Sequence, residues 1–285
     1  MKAGIIGLGA MGVGMARNIA KAGFLTAVYN RTTAKAQAFA EELSVTVYDQ
    51  IEALAAEVDV VLLCVSADSD VLAVVRAVAQ TINPGSIVVD MSTVSSETAK
   101  VAAAILAEKQ VEFIDAPVSG GVEGAKNGTL SMMVGGDLGA LEKVRPILQT
   151  MSSQIIYMGS TGTGQATKAV NQVMCAGINQ AVTEALAFAQ AQDLPMEKVI
   201  GAVSGGAAGN WFLQYRGNTM TKDVFTPGFK LALHYKDLKI CQAIANKVGI
   251  PMPLVTMTIA DYERLMEAGY GDEDISALYR LKHKI

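Results

Sequence analysis

"GIIGLGAMGVG", running from Gly4 to Gly14, decides how the rest of the chain is read. Gly7, Gly9 and Gly12 fit the spacing G-x-G-x-x-G, directly after an apolar run, "AGIIG" over 3–7, that reads as a strand. At such a strand-to-helix junction the first glycine allows a tight turn. The second lets the backbone approach a pyrophosphate, and the third lets helix and strand pack closely. The helix expected behind them, over 10–22, presents N–H groups and a partial positive charge to an anion. Gly7, Leu8, Gly9, Ala10, Met11 and Gly12 are therefore read as a dinucleotide cradle. About twenty residues on, an acid usually takes the ribose hydroxyls of NAD. Here the place holds Asn30, Arg31 and Thr32. An acid would repel the extra phosphate of NADP, whereas a planar guanidinium suits it and the flanking side chains offer hydrogen bonds. The expected cofactor is NADP, with NAD possible; the competing reading makes Arg31 a solvated loop residue.

Working outward, β-branched runs alternate with helical ones up to about residue 160: "TAVYN" (26–30), "VVLLCV" (60–65), "IVVD" (87–90), "EFIDA" (112–116) and "MMVGG" (132–136). Continuous apolar strands belong in a sheet buried on both faces, so the expectation is an α/β Rossmann-type domain with a mostly parallel sheet. Beyond Gly162 no strand pattern is seen. Residues 164–192 contain no proline and read as one helix of roughly 42 Å. Helices follow over 195–204, 229–248 and 253–268. The expected organisation is a dinucleotide-binding domain over 1–162 and an all-helical substrate and oligomerisation domain over 163–285, joined by a long interdomain helix.

Composition removes several classes. With 285 residues, 51% hydrophobic and 18% charged, the chain is folded rather than disordered. A net charge of −4 gives no basis for a nucleic-acid or anionic-membrane partner. No apolar run is long enough to span a bilayer. Cys64, Cys175 and Cys241 are far apart and form no CxxC pair, which suits a reducing cytoplasm. The first strand starts at Lys2 without an apolar signal core, so no secretion is expected. No His, Cys, Asp and Glu cluster has metal-ligand spacing, and His234 and His283 are read as structural.

Five blocks in order along the whole chain resemble the β-hydroxyacid dehydrogenase family, which includes 3-hydroxyisobutyrate dehydrogenase, tartronate semialdehyde reductase and the glyoxylate/succinic semialdehyde reductases. They are "GLGAMGVGMARNIAKAGF" at the start, "DMSTVSSET" (90–98), "DAPVSGGVEGAKNGTLSMMVGGD" (115–137), "GTGQATKAVNQ" (162–172) and "PGFKLALHYKDL" (227–238). By resemblance, Lys168 occupies the catalytic lysine position, acid in reduction and base in oxidation. A lysine desolvated beside substrate can exchange a proton near neutrality. Asn171 and Gln172 lie about one turn further on; many members have two asparagines here, and the Asn-Gln pair looks more like the tartronate semialdehyde reductases. Ser119, Gly120 and Gly121 form a nest of backbone N–H groups plus a hydroxyl, assigned by resemblance to the substrate carboxylate. Val65, Ser66 and Thr93 follow strands at the sheet edge where ligands bind, with Thr93 toward the nicotinamide. Lys236 matches a lysine that reaches cofactor and substrate, and Asp237 is read as orienting it or capping structure; without the resemblance, "YKDLK" is an ordinary solvated face. Asn210, Trp211 and Phe212 are read as a pocket wall or as domain packing.

The implied activity interconverts a small β-hydroxy acid and its semialdehyde, or reduces glyoxylate or succinic semialdehyde, in a homodimer or homotetramer. The alternatives are an imine reductase-like enzyme, against which Lys168 argues, and a non-catalytic dinucleotide-binding sensor.

Overall fold

The computed structural model describes residues 1–283 and divides into two compact units, Met1–Lys168 and the remainder from Ala169. In the first unit the chain runs β1 (Ala3–Ile6), α1 (Ala10–Lys21), β2 (Leu25–Tyr29), α2 (Thr33–Leu43), β3 (Thr46–Val47), α3 (Ile51–Ala56) and β4 (Val60–Leu63). It continues through α4 (Asp68–Thr81), β5 (Ile87–Asp90), α5 (Ser96–Ala107), β6 (Glu112–Asp115), β7 (Val118–Ser119) and α6 (Gly121–Asn127). Then come β8 (Leu130–Gly135), α7 (Leu138–Leu148) and β9 (Ser152–Gly159).

The strand order is β3-β2-β1-β4-β5-β6, all parallel. β1, β4 and β5 are buried along their whole length, as strands covered by helices on both faces must be. From β1 the chain moves to one side through β2 and β3, then returns to the other through β4. That reversal opens a crevice at the carboxyl ends of β1 and β4, where Gly7 and Cys64 stand. Past β6 the sheet changes direction. β6 and β7 line up as one interrupted edge against antiparallel β8, with Asp115 opposite Gly135 and Val118 opposite Met132. β9 adds in parallel to β8.

α8 (Thr163–Gln190) is a single 28-residue helix that passes through the boundary of the two units. The second unit continues with α9 (Met196–Ser204), α10 (Trp211–Met220), α11 (Leu231–Val248), α12 (Pro253–Glu267) and a 3-10 turn (Ile275–Leu281). Its core gathers Phe212, Leu213, Met220, Leu238, Tyr262 and Leu278. Asp274, 1% exposed, ties the turn before α11 by accepting from the Gly228 and Phe229 N–H groups and from Arg216.

Four elements fall outside the sequence expectation. β3 and β7 have two residues each, too few to show a pattern. β9 exposes Ile156, Tyr157 and Met158 along an edge, so its apolar residues do not alternate with polar ones. α10 likewise lacks a clean apolar stripe: Trp211 and Tyr215 are exposed while Phe212 and Leu213 are buried. Among the described residues no helix is long and apolar enough to cross a membrane.

Candidate active site

The three glycines of the first loop are required for different reasons. Gly7 has φ +106°, and a Cβ there would lie 2.1 Å from the Cys64 carbonyl oxygen. A Cβ on Gly12 would lie 2.0 Å from the carbonyl oxygen of Gly7. Both are demanded by packing of β1, β4 and α1. Gly9 is different. Its φ of −76° is ordinary, and a Cβ would meet no protein atom within 4 Å. Nothing in the fold asks for glycine there, but a ligand lying against the backbone at the start of α1 does. The residues present fit a dinucleotide pyrophosphate.

Asn30 is a brace as well as a surface residue. Its Oδ1 accepts from the Leu8 N–H at 2.9 Å and its Nδ2 donates to the Thr32 carbonyl at 3.0 Å, fixing the glycine loop to the end of β2. Arg31 is 88% exposed, with Nη1 3.7 Å from Asp70 Oδ1 on α4. Thr32 precedes α2 without capping it through its hydroxyl. An open cleft of about 600 Å³ runs from Leu8, Gly9 and Ala10 to Arg17 and Lys35. Lys35, on the first turn of α2, was not singled out from sequence. Its signal was the short spacing from Arg31, which a helical turn folds back toward the loop.

The ends of β4 and β5 are tied through serine. Ser92 Oγ accepts from the Val65 N–H at 2.9 Å, and the Ser92 N–H donates to Asp90 Oδ1 at 2.9 Å. Ser66 is exposed and Thr93 half-buried. Burial, followed by the charge of Asp90, pushes the Cys64 thiol up to about 12.

Lys168, 7% exposed on the second turn of α8, donates from Nζ to the Val118 carbonyl at 2.8 Å. Val118 leads into Ser119, Gly120 and Gly121, and the two glycines have φ +131° and +62°. Lysine and glycine loop are thus brought together. Two further residues hold this arrangement. Asp115 accepts from the N–H groups of Gly162 (2.7 Å) and Gln165 (2.9 Å), and the Gln165 amide bonds to both sides of Thr93. Burial raises the Asp115 carboxyl above its usual range, opposed by those backbone N–H groups. Neither residue stands out in sequence, since their partners are 47 to 73 residues away.

In the second unit Asn171 Nδ2 donates to Gln172 Oε1 (2.7 Å), and Gln172 Nε2 donates to Asp237 Oδ2 (2.6 Å). Asp237 Oδ1 is 3.0 Å from Lys236 Nζ. The four form one chain of contacts, with the buried carboxylate linking amide and ammonium. Behind it His234 is fully buried: Nε2 faces the Gln172 carbonyl at 3.2 Å and Nδ1 the Tyr262 hydroxyl at 3.0 Å. A carbonyl only accepts, so Nε2 carries a proton, and in the neutral ring Nδ1 accepts from tyrosine. Burial pushes the Tyr262 hydroxyl far above its ordinary value. Asn210 caps α10 through the Leu213 N–H (2.9 Å), Trp211 stacks on Tyr215 at 4.7 Å, and Phe212 enters the core. Among the described residues no group of His, Cys, Asp and Glu is placed to hold a metal ion.

Comparison with known proteins gives the family and the fold. Residues 2–159 match the pattern described as the NAD binding domain of 6-phosphogluconate dehydrogenase. Residues 162–282 match that described as the NAD-binding of NADP-dependent 3-hydroxyisobutyrate dehydrogenase. The chain is similar to 2-hydroxy-3-oxopropionate reductase of Escherichia coli, 35% identical over 89% of this chain and 87% of that one. It is also similar to 2-(hydroxymethyl)glutarate dehydrogenase of Eubacterium barkeri, 32% identical over 99% and 94%. Among solved structures, a Mycobacterium tuberculosis 3-hydroxyisobutyrate dehydrogenase with L-serine matches at a TM-score of 0.89 and 29% identity, over 99% of both chains.

Proposed function

The chain belongs to the 3-hydroxyisobutyrate dehydrogenase family and is an NAD(P)-dependent β-hydroxyacid dehydrogenase, and from that premise we propose that it interconverts a small β-hydroxy acid and its semialdehyde with Lys168 as general acid and base. The observation that carries this reading is the bond from Lys168 Nζ to the Val118 carbonyl, which sets a buried ammonium beside the Ser119-Gly120-Gly121 loop. When bound, the nicotinamide supplies or accepts the hydride.

The remaining work falls to side chains and backbone. The loop of Ser119, Gly120 and Gly121 takes the substrate carboxylate, through N–H groups and a hydroxyl. In reduction the Lys168 ammonium protonates the developing alkoxide; in oxidation the neutral amine accepts the hydroxyl proton. Thr93, with Val65 and Ser66, borders the nicotinamide. Asn171 and Gln172, along the same helix, are amides for the substrate hydroxyl or carbonyl, and Asp237 orients both Gln172 and Lys236. Arg31 and Lys35 favour NADP by pairing with its extra phosphate, while the Asn30 brace sets the loop they flank. The exposed stripe Val170, Met174 and Ile178 on α8 supports a homodimer or homotetramer, and three cysteines without a disulfide support a cytoplasmic setting.

The test is a panel of initial rates with NADPH and NADH at equal concentration, against tartronate, methylmalonate and succinic semialdehydes and glyoxylate. The proposal predicts turnover of one or two acceptors with NADPH ahead. Equal or better rates with NADH would remove the role given to Arg31 and Lys35. No turnover of any acceptor would remove the semialdehyde reading and favour an imine substrate.

A further inference from the structure

Gln165 stands on the first turn of α8, three residues before Lys168, and is 1% exposed. Its side chain makes two bonds of opposite sense: Nε2 donates to the Ser92 carbonyl at 2.8 Å, and Oε1 accepts from the Val94 N–H at 3.1 Å. The two backbone groups flank Thr93. The residue's own N–H donates to Asp115 Oδ2, which pins the start of the helix to the end of β6. One helical turn therefore holds the loop after β5 at a fixed offset from the lysine, and the lysine in turn holds the Val118 carbonyl.

A side chain there only to fill space has no need of an amide. Burying a polar group is costly unless its partners are supplied, and an apolar residue of similar volume would fill the same position without that demand. An uncharged amide is suited to giving and accepting at the same reach. We infer that Gln165 is a positioning residue: it sets Thr93, and through Thr93 the nicotinamide half of the cofactor, relative to Lys168. The inference rests on the roles proposed above for Thr93 and Lys168. It assigns Gln165 no contact with substrate or cofactor.

The test compares binding of NADPH with 2′-phospho-ADP-ribose, which lacks only the nicotinamide, and of NADH with ADP-ribose, in the full-length protein. Wild type should bind each whole cofactor more tightly than its truncated partner. In Gln165→Leu that ratio should fall to about one, while affinity for the truncated ligand stays within about twofold. Gln165→Glu supplies the second reading. Protonated, its carboxyl donates to Ser92 and accepts from Val94 as the amide does; ionised, it turns an oxygen against the Ser92 carbonyl. The ratio and kcat of Gln165→Glu should therefore recover on acidification, over a range where wild type is flat. If the leucine variant does not fold, the glutamate variant at low pH decides.

A wild-type ratio of one, an unchanged ratio in folded Gln165→Leu, or a pH-independent ratio in Gln165→Glu would overturn the inference. Absence of turnover in wild type would instead count against the semialdehyde reading, because the binding ratios need no substrate.

Discussion

Gly12 lies so close to Gly7 that a Cβ on it would come within 2.0 Å of the Gly7 carbonyl oxygen, whereas a Cβ on Gly9 would meet no protein atom. The two glycines of one motif should therefore fail differently. Gly12→Ala should destabilise the fold by about 1–3 kcal/mol, as overpacking does. Gly9→Ala should leave stability within about 0.5 kcal/mol yet weaken cofactor binding, because the new methyl group occupies the backbone's approach to the pyrophosphate. Urea unfolding and cofactor titration of both variants check this. Equal loss of stability in the two would contradict it.

Cys64 should be less reactive than its position near a ligand loop would suggest. Burial, with the charge of Asp90, pushes it up to about 12, so almost no thiolate exists in the native protein near neutrality. Cys64 is only partly buried, so the depressed thiolate population rather than complete shielding protects it: alkylation with iodoacetamide at about pH 8, followed by peptide mapping, should label it far more slowly in the native protein than in the unfolded chain. The raised value also means that ionisation opposes folding: the thiol's contribution is intact below its ordinary value of 9.0 and is lost as pH rises toward the folded value. Fast native labelling at Cys64 would contradict the packing described.

Asp115 accepts two backbone N–H groups, one on each oxygen, so Asp115→Asn must place an amide N–H against a donor. The cost should be about 1–3 kcal/mol. Its folded carboxyl is raised above the ordinary 3.8, chiefly by burial, which fixes the sign of the pH effect. The neutral form is favoured by folding, so its contribution is full below the unfolded value and falls as pH rises through the folded one. The stability gap between wild type and Asp115→Asn should narrow as pH rises through that window. A gap that widens would show that the backbone bonds, not burial, govern the group.

Arg31 is almost fully exposed and only loosely paired with Asp70, so removing it should cost little stability. Arg31→Ala should reduce the NADPH preference over NADH by about tenfold while leaving NADH binding nearly unchanged, the loss expected of one charge-assisted contact to a phosphate. Asn30→Ala should behave otherwise, weakening both cofactors, since it frees the Leu8 N–H from its brace. Fluorescence titration with each cofactor separates the two.

Much of the first unit could be read before any coordinates. Six of its strands are short apolar runs, three of them, β1, β4 and β5, buried along their whole length, and that pattern is local. The long helix was legible for the same kind of reason, as a stretch without proline over 164–192, and the observed helix spans Thr163–Gln190. What was not legible depends on partners far apart in sequence. The Asn30 brace spans 22 residues, and the Gln165 clamp joins a helix to a loop more than 70 residues earlier. β9 escaped because an edge strand buries too little to impose alternation, and α10 because the large apolar residues Trp211 and Tyr215 lie on its exposed side, which blurs the apolar stripe. Lys168 could be singled out only through the block around it; by itself a lysine on a helix is a surface residue more often than a proton donor.

The central claim is tested most directly by Lys168→Met, assayed for cofactor binding and for reduction of the best acceptor found with wild type. Methionine keeps the length and apolar stem of lysine and removes the proton donor. The account predicts that cofactor affinity survives within a few-fold and that kcat falls by about 10²–10⁴. A variant that binds cofactor normally and turns over within threefold of wild type would show that the proton comes from elsewhere.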